Sequence, residues 1–434
     1  MAKVVILGGG LAGISAAYHL EQNGFHDYVL FEKEADVGGL CGSVQQDGFT
    51  FDYTGHLLHI NDPYFEKLIA DVIGFDQFNI INRRSYIYSQ ECYTKFPYQI
   101  NLRGLPIKTI SECINGYVKR HKHIKNPKNF KEWVLKNFGS GFAKHFFCPY
   151  QQKIFACDLK EITASWTGRF VPDTSLEQII SGSIQDNENE AIGYNAQFFY
   201  PKKGGILFWV KKLADQLQNK IITNAKATSI DMVHKFVGFS NGHVESYDTL
   251  INTMPLDDFL IMQRGTMANV LESAADNLRC NSVVNFNLGI KRPNLSDKHW
   301  IYFPEKEFPF YRIGFGHNFA DSMAPENCSS LYGEFSHLYR TDRWVEKTLE
   351  LALQKTKEFL HLSDDEIATE KIIPISHAYV IYDQWRERNL DKVHKKLNEN
   401  KVYSIGRYGA WKYCSMQETL LDGKEIADQL LKTA

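Results

Sequence analysis

The sequence predicts an α/β chain: a discontinuous dinucleotide-binding domain of Rossmann type, a helical insert domain and an antiparallel β-sheet domain. Three observations predict it. An apolar run of strand length, Val4-Val5-Ile6-Leu7, breaks at once on the glycine turn Gly8-Gly9-Gly10-Leu11-Ala12-Gly13. A helix-length segment and a second apolar run, ending in the acid Glu32, follow it. Beyond them lie a long stretch of helical spacing and several aromatic-rich runs of period two, the signals of helix and of antiparallel sheet. At 434 residues the chain has room for two or three units, and 44% hydrophobic with 23% charged residues describes an ordinary globular protein. A formal charge of −2 argues against nucleic acid as the main partner, so any affinity for phosphate must come from local placement of Arg and Lys.

The elements follow in order. Residues 4–7 read as a parallel strand buried on both faces, because the run is continuously apolar. Residues 14–22 read as a helix ending at Asn23-Gly24, and 27–32 as the second strand. A short strand is expected at 49–53. Tyr86, Tyr88, Tyr93, Phe96 and Tyr98 alternate through 83–100, which predicts antiparallel sheet. From 105 to 184 the spacing is mainly helical; Asn126-Pro127 opens one helix and Gly139 ends it. A glycine pair at 204–205 precedes an amphipathic helix through Leu217. Strands are then expected at 221–230, 236–239, 250–255, 283–288 and within 300–315, with a turn at Asn241-Gly242. A helix at 345–360, a strand at 401–406 and a closing helix at 419–432 complete the chain. Residues 1–75, 198–260 and 395–434 are assigned to the dinucleotide domain and 103–190 to the helical domain. Residues 76–102 and 261–394 are assigned to the sheet and substrate domain. The basic run Lys119-Arg120-His121-Lys122-His123-Ile124-Lys125 reads as a solvated helix end, since no aromatic residue interleaves it.

The opening turn satisfies G-x-G-x-x-G in its strand–turn–helix context. Its glycines let the backbone approach a pyrophosphate, which the helix N-terminus attracts. Glu32 stands where a carboxylate accepts from ribose hydroxyls. Gly38-Gly39-Leu40 then sets a second glycine pair just behind the acid. This resembles the pair found in the FAD-binding domains of flavin amine-oxidase-like enzymes, where it would let the chain pass close to the pyrophosphate and ribityl chain, and the resemblance implies FAD rather than NAD. The expected cofactor contacts here are Gly8, Gly10, Leu11, Ala12, Gly13, Glu32, Lys33, Gly38, Gly39 and Leu40. The eight cysteines form no C-x-x-C pair and have no histidine cluster beside them, so neither a metal site nor a disulfide framework is expected. The first apolar run is too short for a signal peptide, and no stretch nears the ~20 apolar residues of a membrane span. A cytoplasmic protein without membrane insertion is the expectation.

Asp52 through His56, Phe96-Pro97-Tyr98-Gln99, Glu132-Trp133, Pro149-Tyr150 and Trp166-Thr167-Gly168-Arg169 form an ordered series. It runs on through 201–205, 300–304, 309–312 and Gly406-Arg407-Tyr408-Gly409-Ala410-Trp411-Lys412-Tyr413. Through these motifs the chain resembles the flavin-dependent UDP-galactopyranose mutases of the flavin amine-oxidase-like superfamily, the eukaryotic-type branch more than the bacterial. The segments at 300–312 and 406–413 are the most particular to that family.

The resemblance implies a nucleotide-sugar mutase that interconverts the pyranose and furanose forms of UDP-galactose or a related sugar, in cell-surface polysaccharide synthesis. In that family N5 of reduced FAD attacks the anomeric carbon and displaces UDP, so the cofactor is the nucleophile. Arg169 and Arg312 match its diphosphate-binding arginines, whose forked donors suit phosphate oxygens. Tyr302, Tyr379 and Tyr413 match its diphosphate-binding tyrosines, and Phe96 and Gln99 stand at the nucleoside. His56 matches a histidine against the flavin; an imidazole titrating near neutrality would favour the reduced form. Gly55, His56, Gly406, Arg407, Tyr413 and Met416 complete the expected flavin contacts. The implied catalytic set is His56, Arg169 and Arg312. Each arginine has a plain alternative in a structural ion pair, and each tyrosine in core packing. Gln151 after Pro149-Tyr150, and Cys414-Ser415-Met416-Gln417-Glu418 after Tyr413, depart from the family pattern at the base and sugar contacts.

Two rivals stand beside the mutase. One is an FAD-dependent oxidase of the amine-oxidase or protoporphyrinogen-oxidase type, which is weakened by Gly406-Arg407 where amine oxidases commonly carry Gly-Glu. The other is a non-catalytic sugar-binding relative. The partners implied are a nucleotide sugar and an external reductant, NAD(P)H or a flavin reductase, with a possible homo-oligomer.

Overall fold

The computed structural model describes residues 3–185, 196–264 and 273–432, with the backbone alone at Arg169. The chain opens as expected, with β1 (Val4–Leu7), α1 (Leu11–Gln22) and β2 (Tyr28–Phe31). The hairpin β3 (Ser43–Gln46) and β4 (Phe49–Asp52) comes next, then β5 (Phe78–Asn82) and the antiparallel pair β6 (Ser85–Ser89) and β7 (Cys92–Lys95). Among helices of eight residues or more, α2 (Ile107–Val118), α3 (Phe130–Asn137), α4 (Cys148–Phe155) and α5 (Leu176–Ile184) fill the segment of helical spacing. The chain returns through β8 (Gln197–Pro201), α6 (Leu207–Ala214), β9 (Ala227–Asp231), β10 (Phe236–Phe239), β11 (Val244–Ser246) and β12 (Thr249–Asn252). Then come β13 (Ser282–Ile290), β14 (Trp300–Tyr302), β15 (Arg312–Phe315), β16 (Ser329–His337), α7 (Asp342–Leu360) and β17 (Ile367–Ile375). The chain finishes with α8 (Gln384–Glu399), β18 (Val402–Ser404) and α9 (Met416–Lys432).

Two sheets position the site. The parallel sheet has the order β18-β12-β1-β2, so Ile6 lies between Ile251 and Leu30. Val4 to Leu7 are at most 4% exposed, which is what a continuous apolar strand covered on both faces requires. Helix α9 lies along α1, where Ser15 Oγ donates to Leu420 O at 2.6 Å. The second sheet has the order β17-β13-β16-β15-β14-β6-β7. It is antiparallel except where β14 runs parallel to β6, so it is mixed rather than purely antiparallel. No tight turn joins those two strands; they come from distant parts of the chain, so packing sets their direction.

Several local expectations are corrected. Residues 98–100 form a single 3-10 turn rather than strand, following Pro97, which offers no N–H to a ladder. Helix α3 starts at Phe130 and not at Asn126-Pro127, because Asn129 caps it, accepting from Glu132 N at 2.9 Å. Gly139 does end that helix: α3 stops at Asn137 and Gly139 follows at φ +81, packed so closely on α2 that a Cβ would fall 2.0 Å from Gly116 O. Strand β9 begins at 227, not 221, and β18 is shorter than its predicted run. Strands β8, β16 and β17 and helix α8 were not expected. No helix among the described residues is long and apolar enough to cross a membrane.

Candidate functional site

The glycine turn between β1 and α1 is a cradle with no room to spare. Gly8 has φ +106, and a Cβ on Gly13 would fall 2.0 Å from Gly8 O. Gly10 caps α1 with no side chain, and the first turn carries no acid, so its N–H groups and dipole remain available to an anion. The second glycine pair closes onto the first: Gly38 N donates to Gly9 O at 2.9 Å, and Gly10 and Gly38 form a parallel bridge. Glu32 is buried, and its carboxylate accepts from Gly9 N at 2.6 Å and Glu34 N at 2.8 Å, which fixes it beside the turn. Leu11 and Ala12 open α1 and are buried, and Gly406 abuts Ala12, where a Cβ would fall 2.6 Å from its methyl. Met416 opens α9 and packs near Leu11 in one cluster. Lys33 is exposed and pairs with Glu34 at 3.6 Å.

The cradle continues toward Leu40, Gly55 and His56. Leu40, Val44, Tyr53 and Tyr379 pack against the buried cluster of Val283, Ile373, Ile375 and Ala378. The buried Tyr332 hydroxyl has no hydrogen-bond partner among the described residues, and a Cβ on Gly55 would fall 2.3 Å from it. An unpaired buried hydroxyl beside a glycine is where a polar cofactor edge fits. These residues fit FAD: glycines and an uncapped helix for the pyrophosphate, a fixed carboxylate for the ribose, and a lined passage beyond.

His56 differs from its expected role. Burial first, and then the positive charge of Arg407, push its pKa down to about 4, so the imidazole is neutral at physiological pH. Thr54 Oγ1 lies 3.4 Å from its Nδ1. The lasting positive charge here belongs to Arg407. Its guanidinium donates to Cys414 O at 3.1 Å and Ala378 O at 3.2 Å, lies 4.6 Å from the Tyr413 ring centre, and has no ion pair among the described residues.

Beside this end of the cradle is a cavity of about 1180 Å³, its open mouth included. Phe96, Gln99, Tyr302, Arg312, Tyr379 and Tyr413, all expected at a substrate, line it together. Arg169 sits in the 3-10 turn Gly168–Phe170, and its side chain lies outside the described residues. No Asp or Glu lines the cavity among the described residues. Arg312 stands across the strand from Glu334 on β16 and donates to it through Nε at 3.0 Å and Nη2 at 2.8 Å. Its Nη1 makes no hydrogen bond among the described residues, so one edge of the fork is held and the other is free for a ligand. Burial would lower the Arg312 pKa, but Glu334 holds it well above its usual value, so the charge is permanent. Glu334 also accepts from Gly55 N at 3.3 Å, which joins the cavity to the cradle.

The phenols remain neutral donors. Burial pushes Tyr379 up to about 12 and raises Tyr302. Tyr379 and Tyr413 stack with ring centres 6.3 Å apart. Gln99 is 2% exposed and spends its Nε2 on Pro172 O at 2.8 Å, which leaves its carbonyl oxygen for a ligand. Phe96 has Tyr302 at 5.3 Å and the Arg83 guanidinium at 5.0 Å from its ring centre. Arg83, Tyr150 and Trp166 also line the cavity and were not singled out from sequence as ligand contacts; Gln151, noted only as a departure, lines it too. Glu334 was missed as well. Its signal was present: a lone acid within Leu331-Tyr332-Gly333-Glu334-Phe335 must find a cation if that run is buried.

The family described as flavin containing amine oxidoreductase matches residues 11–431. A crystal structure of reduced UDP-galactopyranose mutase superposes with a TM-score of 0.92 at 28% identity, covering 100% of this chain and 96% of that one. Putrescine oxidase bound to putrescine aligns with a TM-score of 0.69 at 13% identity over 99% of both chains, a likeness of fold alone. Among curated proteins, 4,4'-diapophytoene desaturase of Staphylococcus aureus (strain COL) is 30% identical over 86 residues, 20% of this chain. The chain thus spans only 17% of the length of that relative.

Proposed function

The chain belongs to the flavin containing amine oxidoreductase family, and from that premise we propose that it is a flavin-dependent nucleotide-sugar mutase. Its reaction interconverts the pyranose and furanose forms of UDP-galactose or a related nucleoside-diphosphate sugar. The observation that carries this reading is the carboxylate-free cavity, with the free edge of Arg312 and three phenols facing it, set against a flavin-type cradle. A diphosphate needs just such donors, whereas an amine substrate gains nothing from a permanently cationic wall. The likeness to reduced UDP-galactopyranose mutase over the whole chain supports it.

Bound reduced FAD would supply N5 as the nucleophile toward the anomeric carbon. The chain's own residues do the rest. Arg312 holds the diphosphate through Nη1, stabilising the charge that builds on the leaving group, while Glu334 fixes its plane. Tyr302, Tyr379 and Tyr413 donate neutral hydrogen bonds, so they add contacts without adding charge. Gln99 offers a carbonyl oxygen, and Phe96 a ring face, to the nucleoside. Arg407 keeps a fixed positive charge beside neutral His56, which favours an anionic reduced flavin electrostatically. Arg169 is proposed as a second diphosphate ligand from its place in the Trp166-Thr167-Gly168-Arg169 motif. The reductant comes from outside, and the eukaryotic-type branch, a cytoplasmic site and a role in cell-surface polysaccharide synthesis remain part of the proposal.

The test incubates purified protein with UDP-galactofuranose, once with dithionite-reduced and once with oxidised flavin, and separates the nucleotide sugars. Conversion to the pyranose only under reduction is expected. No conversion of any nucleotide sugar, together with oxygen consumption on an amine, would move the protein to the oxidases.

A further inference from the structure

Helices α2 and α5 pack antiparallel on the outside of the helical segment. The Tyr117 hydroxyl, near the end of α2, donates to Thr174 O at 2.7 Å just before α5. Leu102 N, just before α2, donates to Gly182 O at 2.8 Å near the end of α5. Their inward faces are committed, through Cys113, Gly116 and Tyr117 on one helix and Ile179 and Gly182 on the other. Their outward faces carry exposed aliphatic side chains, on α2 beside Ser111 and Asn115. Ile107 and Val118 are 86% and 56% exposed, and their spacing puts both on one face of α2. Leu176, Ile180 and Ile184 repeat every four residues along α5 and are 38%, 40% and 72% exposed. An aliphatic stripe of this kind is costly in water and marks a surface that meets something else.

The chain leaves α2 directly into the basic run at 119–125. Residues 119–144 hold eight of the 49 Lys and Arg but one of the 51 acids, a formal charge of +7 against −9 for the remainder. Lys119, Lys122, Lys125, Lys128 and Lys131 are exposed and form no ion pair among the described residues. One or two cations suffice to offset the carbonyl end of a helix, so a solvated helix end does not account for eight.

We propose that the α2–α5 face docks on an anionic phospholipid surface. The five aliphatic side chains enter the boundary between headgroups and acyl chains, and the 119–131 lysines face the headgroup charge. The other occupants fit less well. A second copy seated on this face by a two-fold axis would bring like charge against like charge. The Tyr117 ring offers nucleic acid no stacking face, because it is covered by Arg120 with the guanidinium 3.9 Å from its centre. The cations are seven Lys and one Arg, diffuse point charges rather than forks set for single phosphates. None of these residues lines the cavity or the glycine cradle, so the inference stands apart from the mutase reading.

The experiment floats the full protein with vesicles of phosphatidylcholine alone or with about 30% phosphatidylglycerol, at about 0.1 M salt. Partitioning is expected only onto the anionic vesicles and is lost at about 0.5 M salt. The variant Lys119→Glu/Lys122→Glu/Lys125→Glu partitions roughly 100-fold less. Ile180→Ser/Ile184→Ser partitions roughly tenfold less, and both variants keep their flavin and melting temperature. Equal recovery with both vesicle types, or undiminished binding by the charge-reversed variant, overturns the proposal. So does retention by duplex DNA, or a salt-sensitive dimer, without vesicle binding.

Discussion

Arg312 meets the cavity with half of its guanidinium already held, and this makes it both a ligand residue and a structural one. Replacing it by Ala should weaken UDP binding about 10- to 150-fold, the loss of one charge-assisted contact of ~1.5–3 kcal/mol. The same change leaves Glu334 buried without a counter-charge, at a cost of roughly 3–5 kcal/mol. Arg312→Met/Glu334→Gln is therefore the cleaner variant, expected to fold normally and still bind UDP weakly by calorimetric titration. His56 carries a different expectation. With its pKa near 4 it should give no step in the pH profile of kcat/KM between pH 6 and 7. His56→Ala should slow turnover with FAD still bound; normal turnover would reduce it to packing. Arg312, the three tyrosines, Phe96 and Gln99, singled out from motifs far apart in sequence, line one cavity in the fold. Sequence could not foresee that burial and the charge of Arg407 together hold the His56 imidazole neutral, where a titration near neutrality was expected.

At the level of elements, what was legible followed the strength of the pattern. β1 and β2 are short apolar runs, β12 has Leu250 and Ile251 at its centre, and β6–β7 alternates aromatics, so each announced itself. β16 hides because Gly333 and Glu334 interrupt its apolar run, and those two residues are there for close packing on Phe286 and for Arg312. β17 carries Glu370, Lys371 and Pro374, tolerable because it is an edge strand paired on one side only. α8 buries just Leu390, Val393 and Leu397, too thin a stripe to stand out among its charges. The glycine turn, by contrast, was fully legible and is the most fragile element. Gly13→Ala has nowhere to place its methyl beside Gly8 O, so the protein should purify with little flavin, measured by its visible absorbance.

The molecule as a whole gathers buried histidines. His19, His56 and His299 each have a folded pKa near 4, lowered chiefly by burial. Below an unfolded value of about 6.5 the unfolded chain takes up protons that the folded chain refuses. Their stabilisation is thus complete above that pH and is lost as pH falls toward 4. Between pH 6.5 and 5 each contributes a loss on the order of 2 kcal/mol. Asp52 works the other way. Burial raises it to about 6, so its folded form gains protons as pH falls below that value. Burial lowers His317, His337 and His394 as well, against raised Asp258, Asp422 and His377, so the lowered histidines lead. The melting temperature should therefore be lower at pH 5 than at pH 7 by scanning calorimetry, and a flat profile would contradict the burial of these groups.

Gly406 abuts Ala12, and β18 forms one edge of the sheet that β1 begins. In order of synthesis these partners are separated by nearly the entire polypeptide. A ribosome must therefore release almost all of the chain before the nucleotide cradle exists, and the flavin is a late arrival that ratifies a finished fold instead of templating an early one. Nascent chains halted before residue 400 should retain no flavin once free FAD is removed by gel filtration, while a separately supplied 401–432 peptide should restore retained flavin.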